Sequence, residues 1–138
     1  MNITFSSEAP AAHSFKHLYD TTNWGRVERE VGFYADSLRG SWACVAAYDG
    51  DRLVGFARAI SDGKLHAFIT EMIVAPEYHG RRLGEELIKR LVERCHAAGI
   101  TDIQLFCAKG KSGFYLKNGF SSRPHDAPGM QYTGTPAS

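Results

Sequence analysis

The sequence predicts an α/β fold with a mixed, mostly antiparallel sheet that contains one parallel strand pair and is flanked by helices. Two observations support this. Three β-rich segments follow one another with short glycine turns between them, as in an antiparallel meander. An amphipathic helical segment then separates the third strand from a further apolar strand, and a strand–helix–strand crossover favours parallel pairing. With 138 residues, 43% of them apolar, the chain is predicted to form a single domain over residues 1–138.

The N-terminal part, residues 11–38, has the character of a helix in two pieces. The break is expected around residues 21–25, which read Thr-Thr-Asn-Trp-Gly. In the second piece Val27, Val31, Tyr34 and Leu38 recur at the spacing of one helical face. We therefore expect these four side chains to form one apolar face.

Three strands are predicted next. Residues 42–48 and 52–60 are β-rich, and Asp-Gly-Asp at positions 49–51 is a hairpin signal between them. Asp-Gly at positions 62–63 marks the second turn, and residues 65–74 form the third strand. Consecutive strands joined by such short turns pair antiparallel.

A helix over residues 81–98 is the clearest element of the sequence. Its apolar face is formed by Leu83, Leu87, Ile88, Leu91, Val92 and Cys95. The opposite face carries two oppositely charged pairs at i,i+4 spacing, Glu85–Lys89 and Glu86–Arg90. Gly99 fits the position of a C-terminal cap.

The C-terminal third is predicted to alternate short elements. Residues 103–107 form a buried strand, in which Cys107 is a small core residue. A short helix over residues 111–118 ends at Gly119 and leads into an edge strand. The tail from Ser122 is rich in proline and glycine, and a last strand is expected near residues 130–132.

Composition narrows the function classes. The formal net charge is +1, so no global charge favours nucleic acid or an anionic membrane as a partner. No apolar run approaches the roughly 20 residues of a membrane helix, and the N-terminus lacks a signal-peptide pattern. Three widely spaced cysteines argue against a disulfide framework or a zinc site, so we expect a cytoplasmic protein without a metal.

The segment over residues 72–84 has the pattern of an anion site. An apolar strand ends at Pro76, and a basic glycine turn leads into the helix near Arg81. A helix N-terminus offers unpaired N–H groups and partial positive charge, which suit a pyrophosphate. Gly80 and Gly84 allow close approach, while Arg81 and Arg82 add positive charge.

This segment resembles the acyl-coenzyme-A-binding motif of the GNAT acetyltransferase superfamily, Gln/Arg-x-x-Gly-x-Gly/Ala. Here it reads His-Gly-Arg-Arg-Leu-Gly over positions 79–84, so His79 replaces Gln or Arg, and Arg82 replaces the first signature glycine. Gly-Phe-Tyr-Leu-Lys-Asn-Gly-Phe at positions 113–120 resembles the family's Phe-Tyr-x-x-x-Gly-Phe helix. Both motifs stand in the family's order, and the resemblance covers residues 42–120.

The resemblance implies a single GNAT-like domain that transfers an acetyl group from acetyl-CoA to a primary amine of a small molecule, by direct attack in a ternary complex. In the family, the strand before the motif carries a bulge and splays from its parallel neighbour. Met72, Ile73 and Val74 would line the pantetheine arm in that gap. The pyrophosphate would be bound by the turn residues His79, Gly80, Arg81, Arg82, Leu83, Gly84 and Glu85.

Two residues are candidates for catalysis by the same resemblance. Tyr115 matches the general acid that protonates the departing thiolate, and Glu71 is the candidate base that deprotonates the amine through water. Their alternatives are structural: Tyr115 as a core aromatic, and Glu71 as an outward-facing or salt-bridged residue. Trp24, Phe33 and Tyr34 are either core or the lining of an aromatic acceptor pocket.

Other functions remain open at this stage. The chain could be a protein or peptide N-terminal acetyltransferase, or a non-catalytic acyl-CoA-binding module with a regulatory role. Homodimers are common in the family, although no sequence feature requires one. The sequence does not identify the acceptor amine.

Overall fold

The computed structural model describes residues 2–134 and divides the chain into two compact units, of which the first ends at Leu105 and the second begins at Phe106. The elements of the first unit are β1 (Ile3–Ser6), α1 (Ala12–Asp20), α2 (Val31–Arg39), β2 (Ala43–Asp49), β3 (Arg52–Ser61), β4 (His66–Val74), a 3₁₀ turn (Pro76–Tyr78), α3 (Leu83–Ala97) and β5 (Asp102–Leu105). The second unit contains α4 (Ser112–Lys117).

The predicted mixed sheet is confirmed. The five strands lie in the order β1-β2-β3-β4-β5, with three antiparallel pairings followed by one parallel pairing between β4 and β5. The predicted hairpin places Asp49 opposite Arg52, and the crossover places His66 opposite Asp102. Since α3 connects β4 to β5, the two ends of this crossover are fixed by the parallel pair.

The core of the first unit lies on both sides of β3. Seven consecutive residues of this strand, Leu53 to Ala59, are buried, as expected when both faces of a strand are covered. On one face, a Cβ at Gly55 would lie 3.0 Å from Leu87 of α3. On the other, the ring of Phe56 lies 4.8 Å from that of Phe15 in α1. Helices therefore cover both faces, and each buried ring contributes about 1.5–3 kcal/mol.

Helix α3 agrees with the sequence. Leu83, Leu87, Ile88, Leu91 and Cys95 are buried, Val92 is half-buried, and Arg90 donates to Glu86 at 2.8 Å on the exposed side. At the C-terminus Gly99 adopts φ +84°, and the N–H groups of Gly99 and Ile100 bond to the carbonyls of His96 and Cys95. The predicted glycine cap is confirmed.

The second N-terminal helix begins later than predicted. It starts at Val31, and the segment over residues 21–30 forms turns. The Lys16 ammonium fixes part of that segment, because it donates both to Asp20 and to the carbonyl of Val27. Val27 is 62% exposed and Val31 42% exposed, so the four-residue apolar face is wrong, and only Tyr34 and Leu38 are buried.

The two ends of the sheet also differ from expectation. Strand β1 was not predicted, because its four residues, although apolar and polar in alternation, are too few to give a periodic signal. Strand β5 ends at Leu105 and is not buried, since β4 is its only partner in the described sheet. Cys107 lies beyond the strand and is exposed, so its interpretation as a core residue is wrong.

In the second unit, the short helix is confirmed, and Gly119 follows it with φ +92°. The strands expected after Phe120 and near residues 130–132 are absent from the described part of the tail, where Met130 is 84% and Tyr132 93% exposed. Pro124 and Pro128 have no N–H to donate, and proline disfavours a paired strand.

Candidate functional site

Strand β4 carries a bulge at Glu71. Phe56 pairs with Ile73 and Arg58 pairs with Thr70, so one residue of β3 faces two of β4, Glu71 and Met72. Glu71 adopts φ +51°, the left-handed region that costs a non-glycine residue roughly 1–2 kcal/mol. The bulged strand that the resemblance implies is therefore present in the fold.

The bulge directs the Glu71 side chain to the face covered by α1 and α2. Successive residues of a regular strand point to opposite faces, yet Thr70 donates its hydroxyl to Glu71 at 3.0 Å. The carboxylate also contacts Arg58, the cross-strand partner of Thr70. A bulge re-aims a side chain in this way, and here it turns Glu71 towards a cavity.

Arg58 is the buried partner of Glu71. Its Nε and Nη2 lie 2.9 and 2.7 Å from Oε1 of the carboxylate, and the guanidinium also donates to the Ser37 carbonyl, the Ser37 hydroxyl and the Ser41 hydroxyl. Arg58 is only 8% exposed, so these bonds replace its water shell. Of the alternatives for Glu71, the salt-bridged one describes its contacts, and an outward-facing position is excluded.

A cavity of about 200 Å³ adjoins this ion pair. Four aromatic residues form much of its wall, namely Phe15, Tyr19, Phe33 and Tyr34. Its polar lining consists of Arg29, Ser37, Arg58 and Glu71. Two of the three aromatic residues predicted for an acceptor pocket are thus in the wall, while Trp24 is 49% exposed and contacts the ring of Tyr19.

Two phenols in the cavity wall have contrasting partners. The Tyr34 hydroxyl is buried and has no hydrogen-bond partner within residues 2–134. Tyr19 receives a hydrogen bond from Arg29, whose guanidinium also lies 4.5 Å from the centre of the Phe33 ring. Burial raises the pKa of the Tyr19 phenol, and the charges of Glu71 and Tyr34 act in the same direction against Arg29. Tyr19 is consequently a protonated donor.

The glycine turn leaves the N-terminus of α3 open. Gly80 adopts φ +80°, and no atom lies within 4 Å of the place where its Cβ would stand. The first helical N–H groups, of Leu83, Gly84 and Glu85, have no place in the intrahelical ladder, and no side chain caps the helix at Arg82. An anion could approach this backbone closely.

Tyr78 stabilises the glycine turn through its hydroxyl and its ring. It is 9% exposed and donates its hydroxyl to Asp49, a bond that raises the pKa of the phenol. The guanidiniums of Arg52 and Arg81 lie 5.4 and 5.2 Å from the centre of its ring. These contacts hold Arg81 beside the open helix N-terminus.

His79 closes the same turn through its ring. Nε2 lies 2.8 Å from the Val74 carbonyl, and since a carbonyl oxygen only accepts, Nε2 carries the hydrogen. The imidazole therefore binds the last residue of β4. One lone pair of the Val74 oxygen remains for a ligand.

Arg82 occupies a backbone conformation that suits glycine. Its φ is +61°, in the left-handed region, at the position where the related motif has its first signature glycine. The substitution thus retains the turn at the expense of backbone strain. The side chain is exposed.

We expect Arg82→Gly to leave the free energy of unfolding within about 1 kcal/mol of the parent, because relief of the left-handed strain offsets the greater entropy of an unfolded glycine. Arg90→Gly, in the interior of α3, should cost about 1–2 kcal/mol, because it lowers helix propensity and also removes the bond to Glu86 and the contact with the Phe5 ring. Chemical denaturation of both variants gives the comparison. A larger loss for Arg82→Gly than for Arg90→Gly would contradict the strain at Arg82.

Tyr115 lies in α4 of the second unit and is half-buried. Its ring makes edge-to-face contacts with Phe114 and Phe120, at centroid distances of 5.0 and 5.8 Å. Burial raises the pKa of the phenol, and the charge of Cys107 adds to that effect. The hydroxyl is therefore protonated at neutral pH, as a general acid must be.

The structure gathers part of the predicted site in the first unit. Glu71 and residues 72–74 lie on β4, and the turn residues 79–85 follow on the same stretch of chain. Ile73 is buried, while Met72 and Val74 are half-buried. Sequence reasoning missed Arg58, Arg29 and Tyr19, although a charged residue within the apolar run 53–60 was a signal for Arg58.

Neither a metal centre nor a membrane span is found in the described part of the chain. Among residues 2–134, no group of three histidine, cysteine, aspartate or glutamate side chains is arranged to hold a metal ion. The helices in that range are all too short or too polar to cross a bilayer.

Comparison with known proteins agrees with this geometry. The model of the acetyltransferase (GNAT) family matches residues 5–120. The uncharacterised N-acetyltransferase ycf52 of Pyropia yezoensis is 30% identical over 122 residues, which cover 86% of this chain and 69% of the relative. The histone acetyltransferase TAP1 of Glycine max is 30% identical over 140 residues, covering 93% of this chain and 60% of the relative.

A solved structure extends the comparison to the fold. The GNAT-family acetyltransferase SP0256 of Streptococcus pneumoniae superposes with a TM-score of 0.82 at 26% identity, over 96% of this chain and 98% of the other. This chain therefore shares the fold of the Streptococcus pneumoniae protein.

Proposed function

This chain belongs to the GNAT acetyltransferase family, and on that premise we propose that it transfers an acetyl group from acetyl-CoA to a primary amine of a small molecule, by direct attack in a ternary complex. One observation carries the proposal. The bulge of β4 points Glu71 into an aromatic cavity, and the same strand runs on into an open helix N-terminus.

The turn fits the phosphates of coenzyme A. Gly80 has open space above it, and the first N–H groups of α3 together with Arg81 and Arg82 supply donors and positive charge. Met72 and Val74 would lie along the pantetheine arm, beside the half-engaged Val74 carbonyl. The bound thioester would supply an activated acetyl group. His79 supports this arrangement because it fixes the turn to the end of β4.

Two residues of the protein would carry out the two proton transfers. Glu71 would take a proton from the attacking amine through water, and Tyr115 would give one to the departing thiolate. An amine with a pKa near 10 is about 99.9% protonated at neutral pH, so a base is required before attack. The protonated state of the Tyr115 hydroxyl supports its proposed role as the general acid.

A protein or peptide acceptor is the second candidate, since one relative over 93% of this chain is named a histone acetyltransferase. The cavity volume of about 200 Å³ favours a small molecule. A non-catalytic acyl-CoA-binding module is the third candidate. The left-handed Arg82 is compatible with it, but such a module has no use for the strained Glu71 or for Tyr115.

Thiol release from acetyl-CoA, measured over a panel of amines, peptides and a no-acceptor control, separates these functions. We expect release that depends on a small amine. Release with peptides alone would establish the second candidate. Tight binding of acetyl-CoA without acceptor-dependent thiol release across the panel would support the non-catalytic acyl-CoA-binding module.

Glu71→Gln is expected to move or remove the limb over which kcat rises with pH, at unchanged affinity for coenzyme A. The amide keeps an oxygen for Arg58 but cannot accept a proton. Thr70→Val is the matched control, since it removes a neighbouring hydrogen bond and leaves the carboxylate in place. If the profile of Glu71→Gln overlays that of the parent, the carboxylate is structural.

A further inference from the structure

The cavity beside Glu71 has one positive charge in excess. Arg58 and Glu71 neutralise each other through their ion pair. Arg29 also lines the cavity, and within residues 2–134 it forms no ion pair, only the contact with the Phe33 ring and the hydrogen bond to Tyr19. A half-buried guanidinium of this kind is suited to an anionic group of a ligand.

Two tyrosines, Tyr19 and Tyr34, line the same cavity as that guanidinium. Arg29 uses a lone pair of the Tyr19 oxygen, which leaves the O–H of Tyr19 to donate elsewhere. Tyr34 is 2% exposed, and its hydroxyl has no partner in the described residues. A buried hydroxyl without a partner is destabilising, so a ligand that supplies an acceptor oxygen gains from it. Arg29, Tyr19 and Tyr34 together offer donors matched to a carboxylate.

Glu71 offers an unoccupied acceptor position on the same cavity. Its Oε1 accepts two bonds from Arg58 and its Oε2 accepts one from Thr70. A carboxylate has about four acceptor positions, so one position on Oε2 remains for an ammonium group. The cavity thus presents an acceptor for a cation and donors for an anion, in a wall that also contains aromatic rings.

We propose that the acceptor is an α-amino acid with an apolar or aromatic side chain, whose ammonium group faces Glu71 and whose carboxylate binds Arg29 and Tyr34. This inference rests on the proposed transferase function and specifies its substrate class. An amine without a carboxylate would leave the Tyr34 hydroxyl and the Arg29 charge unpaired, which costs affinity.

The volume of the cavity agrees with the side chain of a single amino acid. At about 30 Å³ per water, 200 Å³ holds about seven water-sized groups, close to the size of one ring or branched side chain. A peptide would place its second residue where the α-carboxylate of a free amino acid meets Arg29, and it would bring an uncharged amide to that charge.

Matched acceptors test the carboxylate directly. Phenylalanine, phenylalaninamide and 2-phenylethylamine share one ring, and leucine, leucinamide and 3-methylbutylamine share one branched chain. In thiol-release assays with acetyl-CoA we expect kcat/KM to be roughly 10- to 100-fold higher for each free amino acid than for its amide or decarboxylated amine, as for one charge-assisted bond. The free amino acid should also raise the Tm more than its amide does.

Variants assign that preference to residues. Arg29→Met keeps the aliphatic stem, removes the guanidinium, and should erase most of the preference for the free amino acid over its amide and its decarboxylated amine. Arg26→Met removes the same charge from an exposed position of the same segment and should leave the preference intact. Tyr34→Phe should raise KM for the amino acid and also raise the Tm of the ligand-free protein, a combination that loss of packing does not produce.

The outcomes are distinct. Equal kcat/KM for amino acid, amide and amine, or equal behaviour of Arg29→Met and Arg26→Met, would overturn the carboxylate inference and leave the transferase function standing. Acetyl-CoA binding with no acceptor-dependent thiol release from any of the six compounds or from other amines would overturn both.

Discussion

Gly84→Glu is expected to abolish binding of coenzyme A, with a loss of affinity of about 10³-fold. Gly84 is the second residue of α3, where the first N–H groups and the helix dipole favour an anion. A carboxylate about 4 Å from a phosphate charge costs about 4 kcal/mol at an effective dielectric constant of 20, which corresponds to roughly that factor. Isothermal titration of coenzyme A measures it.

The substitution should not unfold the protein. A glutamate in the first turn of a helix is favourable by about 0.3–1 kcal/mol, and replacing a helical glycine adds a similar amount. Gly84→Ala separates bulk from charge and should bind more tightly than Gly84→Glu. Lys89→Gln changes the net charge by the same unit on the exposed side of α3 and should bind within about two-fold of the parent. A folded Gly84→Glu variant with parental affinity would remove the pyrophosphate assignment.

Long periodic signals and turn chemistry made much of the fold predictable. The apolar repeat of α3 extends over four turns with a glycine cap, and the 49–51 hairpin has its own local turn residues. These features depend on residues that are close in sequence, so they can be predicted from one sequence alone. The same holds for the turn over residues 79–84, whose glycine and arginines are local.

The parts that failed depend on partners distant in sequence. Val27 fits a helical repeat, but the contacts of Lys16 with Asp20 and with the Val27 carbonyl hold that segment in turns. Residues 130–132 have strand-like composition, yet a strand exists only where another strand pairs with it.

The side-chain contacts inside the candidate site could not be predicted from the sequence, for the same reason. Glu71 reaches Arg58 because a bulge shifts the register between β3 and β4 by one residue. A one-residue shift moves a side chain to the other face of the sheet, and no local pattern reports it. The pairing of Arg29 with Tyr19 and the isolation of the Tyr34 hydroxyl depend in turn on how the 21–30 segment folds over that face.

Tyr115→Phe is expected to lower kcat by up to about 10²–10⁴-fold, the usual contribution of general acid catalysis, with water as a partial substitute. The contacts of the ring with Phe114 and Phe120 do not involve the hydroxyl, so folding and coenzyme-A affinity should be unchanged. A general acid works only while protonated. Because burial and the charge of Cys107 raise the pKa of Tyr115 above its ordinary value near 10, activity should show no loss from this group as pH rises to about 10.

Single-turnover rates isolate the chemical step and test the role of the hydroxyl. Tyr132→Phe makes the same chemical change at a side chain that is 93% exposed in the same unit, and it should retain the parental rate. Cys107→Ser removes the thiolate charge that raises the pKa of Tyr115, so any alkaline loss of activity should move to lower pH in that variant. Full single-turnover activity in Tyr115→Phe would show that the ring serves packing alone, and the proton for the thiolate would then come from another donor.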